Sequence, residues 1–376
     1  MATPILFMFG GVSAEHEVSV VTGLQALEHV DRHAFAPYCV YITKTGEWLG
    51  YGDLEKRADF QTKKPRAVSI GKDRDGGFIT EEGIFGATIR PKVAFLAFHG
   101  GTGESGPLQG LLEAFDIPFT STGQEGAVIT MNKALGKEVL AAHGLPIVHG
   151  ISIRREDIVT DSAGTIQTVQ RAVPLPAIIK PAHLGSSIGI HIARTNIELE
   201  KYLLESAQLD TEIVIETFLP SFKEYNCAVR LVNGVVEASA IESPVAKDAI
   251  LSFADKYQRG GKKSGGDGMA SLQRELPANI SEELKATIEE TAKAAFVACR
   301  CKGMVRIDFM VTPDGKTYIT EINPIPGSMA FYLWEAKGIP FQQQITDLLN
   351  QAIIDQRTRS SLRMDYQSDI IQKFIG

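Results

Sequence analysis

Two apolar runs that stop at paired glycines constrain this chain most. "PILFMFGG" (4–11) leads into "VSAEHEVSVVTGLQALEHV", and "VAFLAFHGG" (93–101) leads into "TGESGPLQGLLEAF". Each reads as a strand buried on both faces, a Gly-rich loop and a helix, the unit from which parallel sheets are built. In the first loop Ser13, followed by His16-Glu17, supplies helix-capping chemistry. "YCVYITKTGEWLGY" reads as strand–turn–strand. The first 125 residues are therefore expected to form an α/β layer around a parallel sheet, with ligand sites in the loops at the carboxyl ends of its strands.

Two further segments follow. From about 126, "NKALGKEVLAAHG" reads as a helix closed by Gly144, with strands at "AIIKPA", "IGIHIA" and "EIVIETFL". From about 226 come a hairpin turning at Asn233-Gly234, a Gly- and Lys-rich loop, the helix "SEELKATIEETAKAAFVACR", a second hairpin and a C-terminal helix. The expected domains are 1–125, 126–225 and 226–376, which 376 residues can supply with separate cores. A net charge of −7 argues against a general nucleic-acid binder but not against a local phosphate pocket. No apolar run is long enough to span a membrane, and the N-terminus reads as a buried strand rather than a signal peptide. Cys39, Cys227, Cys299 and Cys301 lack zinc or disulfide spacing, which suits a reducing cytoplasm.

The hairpin "RIDFMVTPDGKTYITEINP" (306–324) carries the chemistry. If Asp314-Gly315 forms a two-residue turn, Pro313 faces Lys316, Asp308 faces Glu321 and Arg306 faces Asn323, all four on one face. Directly opposed like charges destabilise a sheet. Two readings follow from the spacing. A Mg²⁺ ion shared with substrate phosphates would take the oxygens of Asp308, Glu321 and Asn323. Otherwise the carboxylates pair with Arg306 or nearby lysines.

Three stretches are candidates for phosphate binding. "GVSAEHE" lacks the dinucleotide pattern, and "DGKT" follows Met310 where a P-loop needs glycine. "IIKPAHLGSSIGI" fits better: Lys180 ends an apolar strand, and Gly185-Ser186-Ser187-Ile188-Gly189 is a hairpin tip able to turn N–H groups and hydroxyls toward phosphate. A flexible turn is the plainer reading of that tip.

In order along the chain, "GGVSAEHEVS", "HGGTGESGPLQGLLEAFDIPFTSTG", "MNKALGK", "KPAHLGSSIGI", "ADKY", "CKGMVRIDFM" and "EINPIPG" resemble the D-alanine:D-alanine ligases of the ATP-grasp superfamily. The resemblance implies an ATP-grasp fold behind the N-terminal α/β domain, with ATP between the central and C-terminal domains. It implies nucleotide contacts at Lys133, Lys180, Ser187, Glu216 and Glu224, with Lys256 on the transferred phosphoryl group. Two Mg²⁺ or Mn²⁺ ions would bind Asp308, Glu321 and Asn323. Glu15 would hold the first D-alanine's ammonium in a set with Ser186 and Tyr257, near His99, and Arg306 with the Gly327 N–H would form the oxyanion site. The implied reaction joins two D-alanines through an acyl phosphate, for peptidoglycan precursors. The implied partners are small molecules and a second copy in a homodimer, with neither nucleic acid nor membrane. The segment Tyr257–Ser271 would be a lid.

Several positions depart from the family's pattern. Asn132 stands for an aspartate, Ser105-Gly106 for an acidic-Gly step, His183-Leu184 for a polar pair and Phe253 for a tyrosine. In "NPIPGSMAFYLWE", Tyr332 occupies the position of a serine that helps bind the second substrate's carboxylate, with Ser328 as the nearby hydroxyl. That departure raises D-lactate or D-serine as the second substrate, although Lys256-Tyr257 favours an amine. A non-catalytic nucleotide-binding regulator is the reading from another class, and the intact set Lys180, Arg306, Asp308, Glu321 and Asn323 argues against it.

Overall fold

A computed structural model describes residues 2–52, 54–185, 187–244, 274–362 and 370–375. Ser186, Phe253, Lys256, Tyr257 and the expected lid lie outside them. The first seven strands are β1 (Thr3–Gly10), β2 (Phe35–Ile42), β3 (Trp48–Tyr51), β4 (Arg66–Asp73), β5 (Gly76–Glu81), β6 (Thr88–Ile89) and β7 (Val93–Phe98). They form one sheet in the order β6-β5-β4-β3-β2-β1-β7. Only β2-β1-β7 is parallel; β3 returns antiparallel through a tight turn and β4–β6 continue as hairpins. The parallel expectation thus holds for the strands that read as buried on both faces and fails for the shorter, more polar extension.

A second sheet contains β8 (Gly150–Arg154), β9 (Ala177–Pro181), β10 (His191–Ala193) and β11 (Glu212–Thr217) in the order β10-β9-β11-β8, antiparallel throughout. The strand β8 was not read from the sequence. Its partner β11 is almost wholly apolar between Ile213 and Ile215, whereas β8 alternates weakly and is only half-buried. The helix Lys133–Ala142 is capped by Asn132, whose side chain accepts from the Ala134 and Leu135 N–H groups at 2.9 and 3.0 Å. Asparagine caps as well as aspartate does. Here its Nδ2 also donates to Glu212 at 3.0 Å, which a carboxylate could not do. Leu140 of this helix packs into the core of the third sheet, with Tyr225, Val229 and Ile307.

That third sheet contains β12 (Lys223–Val232), β13 (Val235–Pro244), β14 (Arg274–Glu275), β15 (Met304–Val311) and β16 (Thr317–Asn323) in the order β14-β13-β12-β15-β16. The β12–β13 hairpin turns at Asn233-Gly234, both with positive φ, as the dipeptide predicts. The C-terminal helix Phe341–Ser360 crosses back to the N-terminal core, where Phe341, Ile345 and Leu349 join the β1 and β7 side chains. Among the described residues no helix is long and apolar enough to cross a membrane. All four cysteines are buried, and burial raises the thiols of Cys227 and Cys299 to about 12.

Candidate active site

The β15–β16 hairpin reaches the expected pairing by an unexpected route. Thr312, not Pro313, faces Lys316, with the Thr312 N–H on the Lys316 carbonyl at 3.0 Å and the Gly315 N–H on the Thr312 carbonyl at 2.8 Å. The loop is therefore Pro313-Asp314-Gly315, with Gly315 left-handed at φ 83, and the register slips by one residue. Thr320 then bulges between Ile319, opposite Phe309, and Glu321, opposite Asp308. Its hydroxyl donates to the Asp308 carbonyl at 3.0 Å. The bulge cancels the slip, so Asp308 faces Glu321 and Arg306 faces Asn323 as the sequence suggests.

Across the sheet, the register extends this pair into a row: Glu321, Asp308, Asn226 and Glu242 are successive cross-strand partners from β16 to β13. The row borders a cleft of about 240 Å³ between the second and third sheets, whose far wall includes Lys180, Glu216, Phe218 and Leu219. Loops of the first sheet close one end with Glu15, His99 and Glu104. Glu15 lies against the hairpin tip after β9: a Cβ placed on Gly185 would come within 3.2 Å of its Oε2.

Every cation at the row is matched. Arg306 grips Asp308 bidentately, Nε to Oδ1 at 2.7 Å and Nη2 to Oδ2 at 2.8 Å. Asn323 Nδ2 donates to Asp308 Oδ2 at 3.2 Å, and Lys133 Nζ lies 3.1 Å from Glu321 Oε1. Burial alone would depress the Arg306 pKa, but Asp308 holds it well above the ordinary value, with help from the Tyr332 and Glu242 side chains. On the far wall Glu216 binds both Lys137 (2.5 Å) and Lys180 (2.8 Å). Burial would raise its pKa; Lys180 and then Lys137 pull it below the usual carboxylate value. Lys133 also donates to the Leu184 carbonyl at 2.6 Å, and His183 is anchored on Asp210 through its Nδ1 at 2.8 Å. The departure at His183-Leu184 thus leaves a backbone acceptor for the lysine.

At the loop end, Glu104 accepts from the Gly100 N–H at 2.6 Å and the Ile325 N–H at 3.1 Å, tying the first sheet to the segment after β16. Burial, then the charge of Glu15, pushes its carboxyl up to about 8 despite both bonds. Burial lowers His99 to about 4, so its ring is neutral near pH 7; Nε2 lies 2.9 Å from Thr22 Oγ1. The same Thr22 oxygen accepts from the Ser328 N–H at 3.1 Å. Ser328, Met329 and Ala330 are all left-handed (φ 50, 52 and 44), a turn non-glycine residues adopt at about 1–2 kcal/mol each. Gln344 fixes the turn by donating to the Met329 carbonyl at 2.7 Å.

Of the residues picked out from sequence, Glu15, His99, Lys133, Lys180, Ser187, Glu216, Glu224, Arg306, Asp308, Glu321, Asn323 and Gly327 all border the cleft. Ser328 and Tyr332 do not. Ser328 is buried in the left-handed turn, and Tyr332 is packed behind Arg274, whose guanidinium carbon lies 3.9 Å from the ring centroid. Sequence reasoning missed Glu104, Lys137, Asn226, Glu242 and Arg274. Lys137 had a signal, one helical turn after Lys133 on the same face. Asn226, Glu242 and Arg274 had none, because pairing between strands brings them together.

Two carboxylates and an amide suit a hard ion that takes the rest of its shell from phosphate and water. Among the described residues no group of three or more Asp, Glu, His or Cys forms a metal cage.

Antiparallel sheets clasping a charged cleft, behind an α/β layer, define the ATP-grasp class. The chain belongs to the D-alanine–D-alanine ligase family: the family's N-terminal description, "D-ala D-ala ligase N-terminus", matches residues 4–122 and "D-ala D-ala ligase C-terminus" matches residues 139–350. It is similar to a D-alanine–D-alanine ligase of Thermosipho africanus, 34% identical over 351 residues and 92% of each chain. The D-alanine–D-alanine ligase structure from Coxiella burnetii superposes with a TM-score of 0.80 at 25% identity, covering 96% of each chain. A D-Ala:D-Ser ligase from Enterococcus faecalis shares the fold, with a TM-score of 0.78 at 24% identity over 94% of this chain and 100% of that one.

Proposed function

We propose that this chain joins two D-alanines at the expense of ATP, through an acyl phosphate, and that its three sheets mark domains with boundaries near residues 125 and 225. Membership of an ATP-dependent ligase family supports the activity. The observation that carries the site assignment is one cleft holding Lys180 and Glu216 on one wall and Arg306, Asp308, Glu321 and Asn323 on the other.

In this reading the nucleotide lies between the second and third sheets, against Phe218 and Leu219, with its phosphates directed to Lys133, Lys180 and the hairpin tip at Ser187. Asp308, Glu321 and Asn323 would hold the divalent ions. Bound there, such ions offset phosphate charge and polarise the phosphoryl oxygens. Glu15 receives the ammonium of the first D-alanine. The carboxylate of that D-alanine attacks the γ-phosphorus, and ADP leaves. The neutral amine of the second D-alanine then attacks the acyl carbonyl, and inorganic phosphate leaves from the tetrahedral carbon, carrying away the proton the nitrogen gives up as the amide forms. Arg306 Nη1, which takes no part in the Asp308 pair, and the Gly327 N–H stabilise the developing oxyanion. His99, neutral because it is buried, adds no second cation to compete with Arg306 for that oxygen.

The test is ADP release coupled to dipeptide detection with D-alanine as sole amino acid, alongside L-alanine, D-serine and D-lactate. Dipeptide formed in step with ADP is expected from D-alanine alone. No turnover with D-alanine would refute the reading.

A further inference from the structure

The cleft end beyond Arg306 holds charged groups that the mechanism above leaves unused. Glu242 is only 3% exposed and closes the cross-strand row. Asn226 Nδ2 donates to its Oε1 at 2.9 Å and the Tyr332 hydroxyl donates to the same oxygen at 3.1 Å. Arg274 Nη1 donates to its Oε2 at 2.8 Å. Arg274 in turn lies over the Tyr332 ring at 3.9 Å and borders the cleft, while Tyr332 does not. Burial raises the Tyr332 hydroxyl well above its ordinary pKa, so the ring stays neutral beneath the guanidinium.

An ion pair buried this deeply is weak support for stability, because desolvating both charges offsets most of their attraction. Its geometry does serve to fix a guanidinium. Glu242 sets one edge of the fork, and the Tyr332 face sets its plane by cation–π contact. A guanidinium has five donors and can hold Glu242 and a second carboxylate together. Glu242 is also three strand spacings from Glu321, roughly 14 Å along the row. That separates a phosphate end from an acceptor end, with Arg306 on the intervening strand β15.

We infer that Arg274 receives the carboxylate of the second amino acid, held in place by Glu242 and Tyr332. The inference rests on the proposed ligation and names its acceptor-specificity residue. It gives the family departure at residue 332 a physical sense: a tyrosine there cannot present a serine hydroxyl, but it supports a cation at the cleft surface.

The test compares D-alanine with D-alaninamide, which keeps the amine and lacks the carboxylate, as acceptors for wild type, Arg274→Gln and Arg274→Lys. Hydroxylamine trapping of the acyl phosphate reports the first half-reaction separately. Wild type should prefer D-alanine by at least about 100-fold. Arg274→Gln should lose most of that preference and raise the KM for the second D-alanine at least about 10-fold, while hydroxamate formation and the KM for ATP stay within about 2-fold. Arg274→Lys should recover part of the preference. If Arg274→Gln does not fold because Glu242 is left unpaired, the double variant Arg274→Gln/Glu242→Gln removes both charges and makes the same comparison. An undiminished preference for D-alanine in either variant overturns the inference. Absence of ADP release by wild type with D-alanine would instead overturn the ligation itself.

Discussion

The two ends of the cross-strand row use the same groups, carboxylate and guanidinium, in opposite ways. At the β15–β16 end, Asp308, Glu321 and Asn323 sit at half-exposed positions that border the cleft. Arg306 pairs with Asp308 and Lys133 with Glu321. At the β13–β14 end, Glu242 and Arg274 both border the cleft, but Glu242 is covered by three donors and Arg274 is the less covered partner of the pair. One end offers negative charge to cations and the other offers positive charge to an anion. On the proposed ligation, one sheet face orients two charged substrates toward each other by reversing which partner of an ion pair is the more covered.

The largest expected effect breaks this comparison at its acidic end. Glu321→Gln should lower dipeptide synthesis at least about 10³-fold while thermal unfolding moves by only a few degrees, since the side chain is half-exposed. Turnover within 10-fold of wild type would remove Glu321 from the phosphate site. Next, Arg306→Met should lower kcat about 10²–10³-fold, the usual loss for an oxyanion donor. Restoring it to within 2-fold by Asp308→Asn in the same chain would show instead that Arg306 merely neutralises Asp308.

A smaller effect is expected at Glu104, which ties the first sheet to the segment after β16. Glu104 binds its proton more tightly in the folded chain, with a pKa near 8 against an ordinary 4.5. The folded state is therefore favoured below pH 4.5, and that contribution is lost as pH rises toward 8. The loss is on the order of a few kcal/mol. Glu104→Gln should flatten this part of the pH dependence in urea unfolding measured from pH 5 to 8.5. An unchanged slope would mean that the carboxyl is ionised throughout.

The smallest effect is expected at Asn132. Asn132→Asp keeps the helix cap but sets a carboxylate against Glu212, costing roughly 0.5–1 kcal/mol in unfolding free energy. Equal stability would mean that Glu212 swings away.

The two ends also differ in how far sequence reveals them. Arg306, Asp308, Glu321 and Asn323 lie within one hairpin, so strand alternation and a turn dipeptide place them on one face. Even there the strands close one residue earlier than the dipeptide predicts, at Thr312, and the bulge at Thr320 restores the pairing. Asn226, Glu242, Arg274 and Tyr332 are spread over 107 positions of a 376-residue chain, and only strand pairing and the return of the chain after Ala330 join them. The parallel core of the first sheet was legible because its strands are apolar without interruption. The antiparallel extension and β8 were not, because half-buried strands carry a weaker pattern.

The most direct measurement is the partition of acyl phosphate between hydroxylamine and D-alanine in Glu321→Gln and Arg274→Gln. If phosphate chemistry and acceptor recognition occupy opposite ends of the row, Glu321→Gln loses both hydroxamate and dipeptide, whereas Arg274→Gln keeps hydroxamate and loses dipeptide. Equal loss of both products in Arg274→Gln would contradict that division.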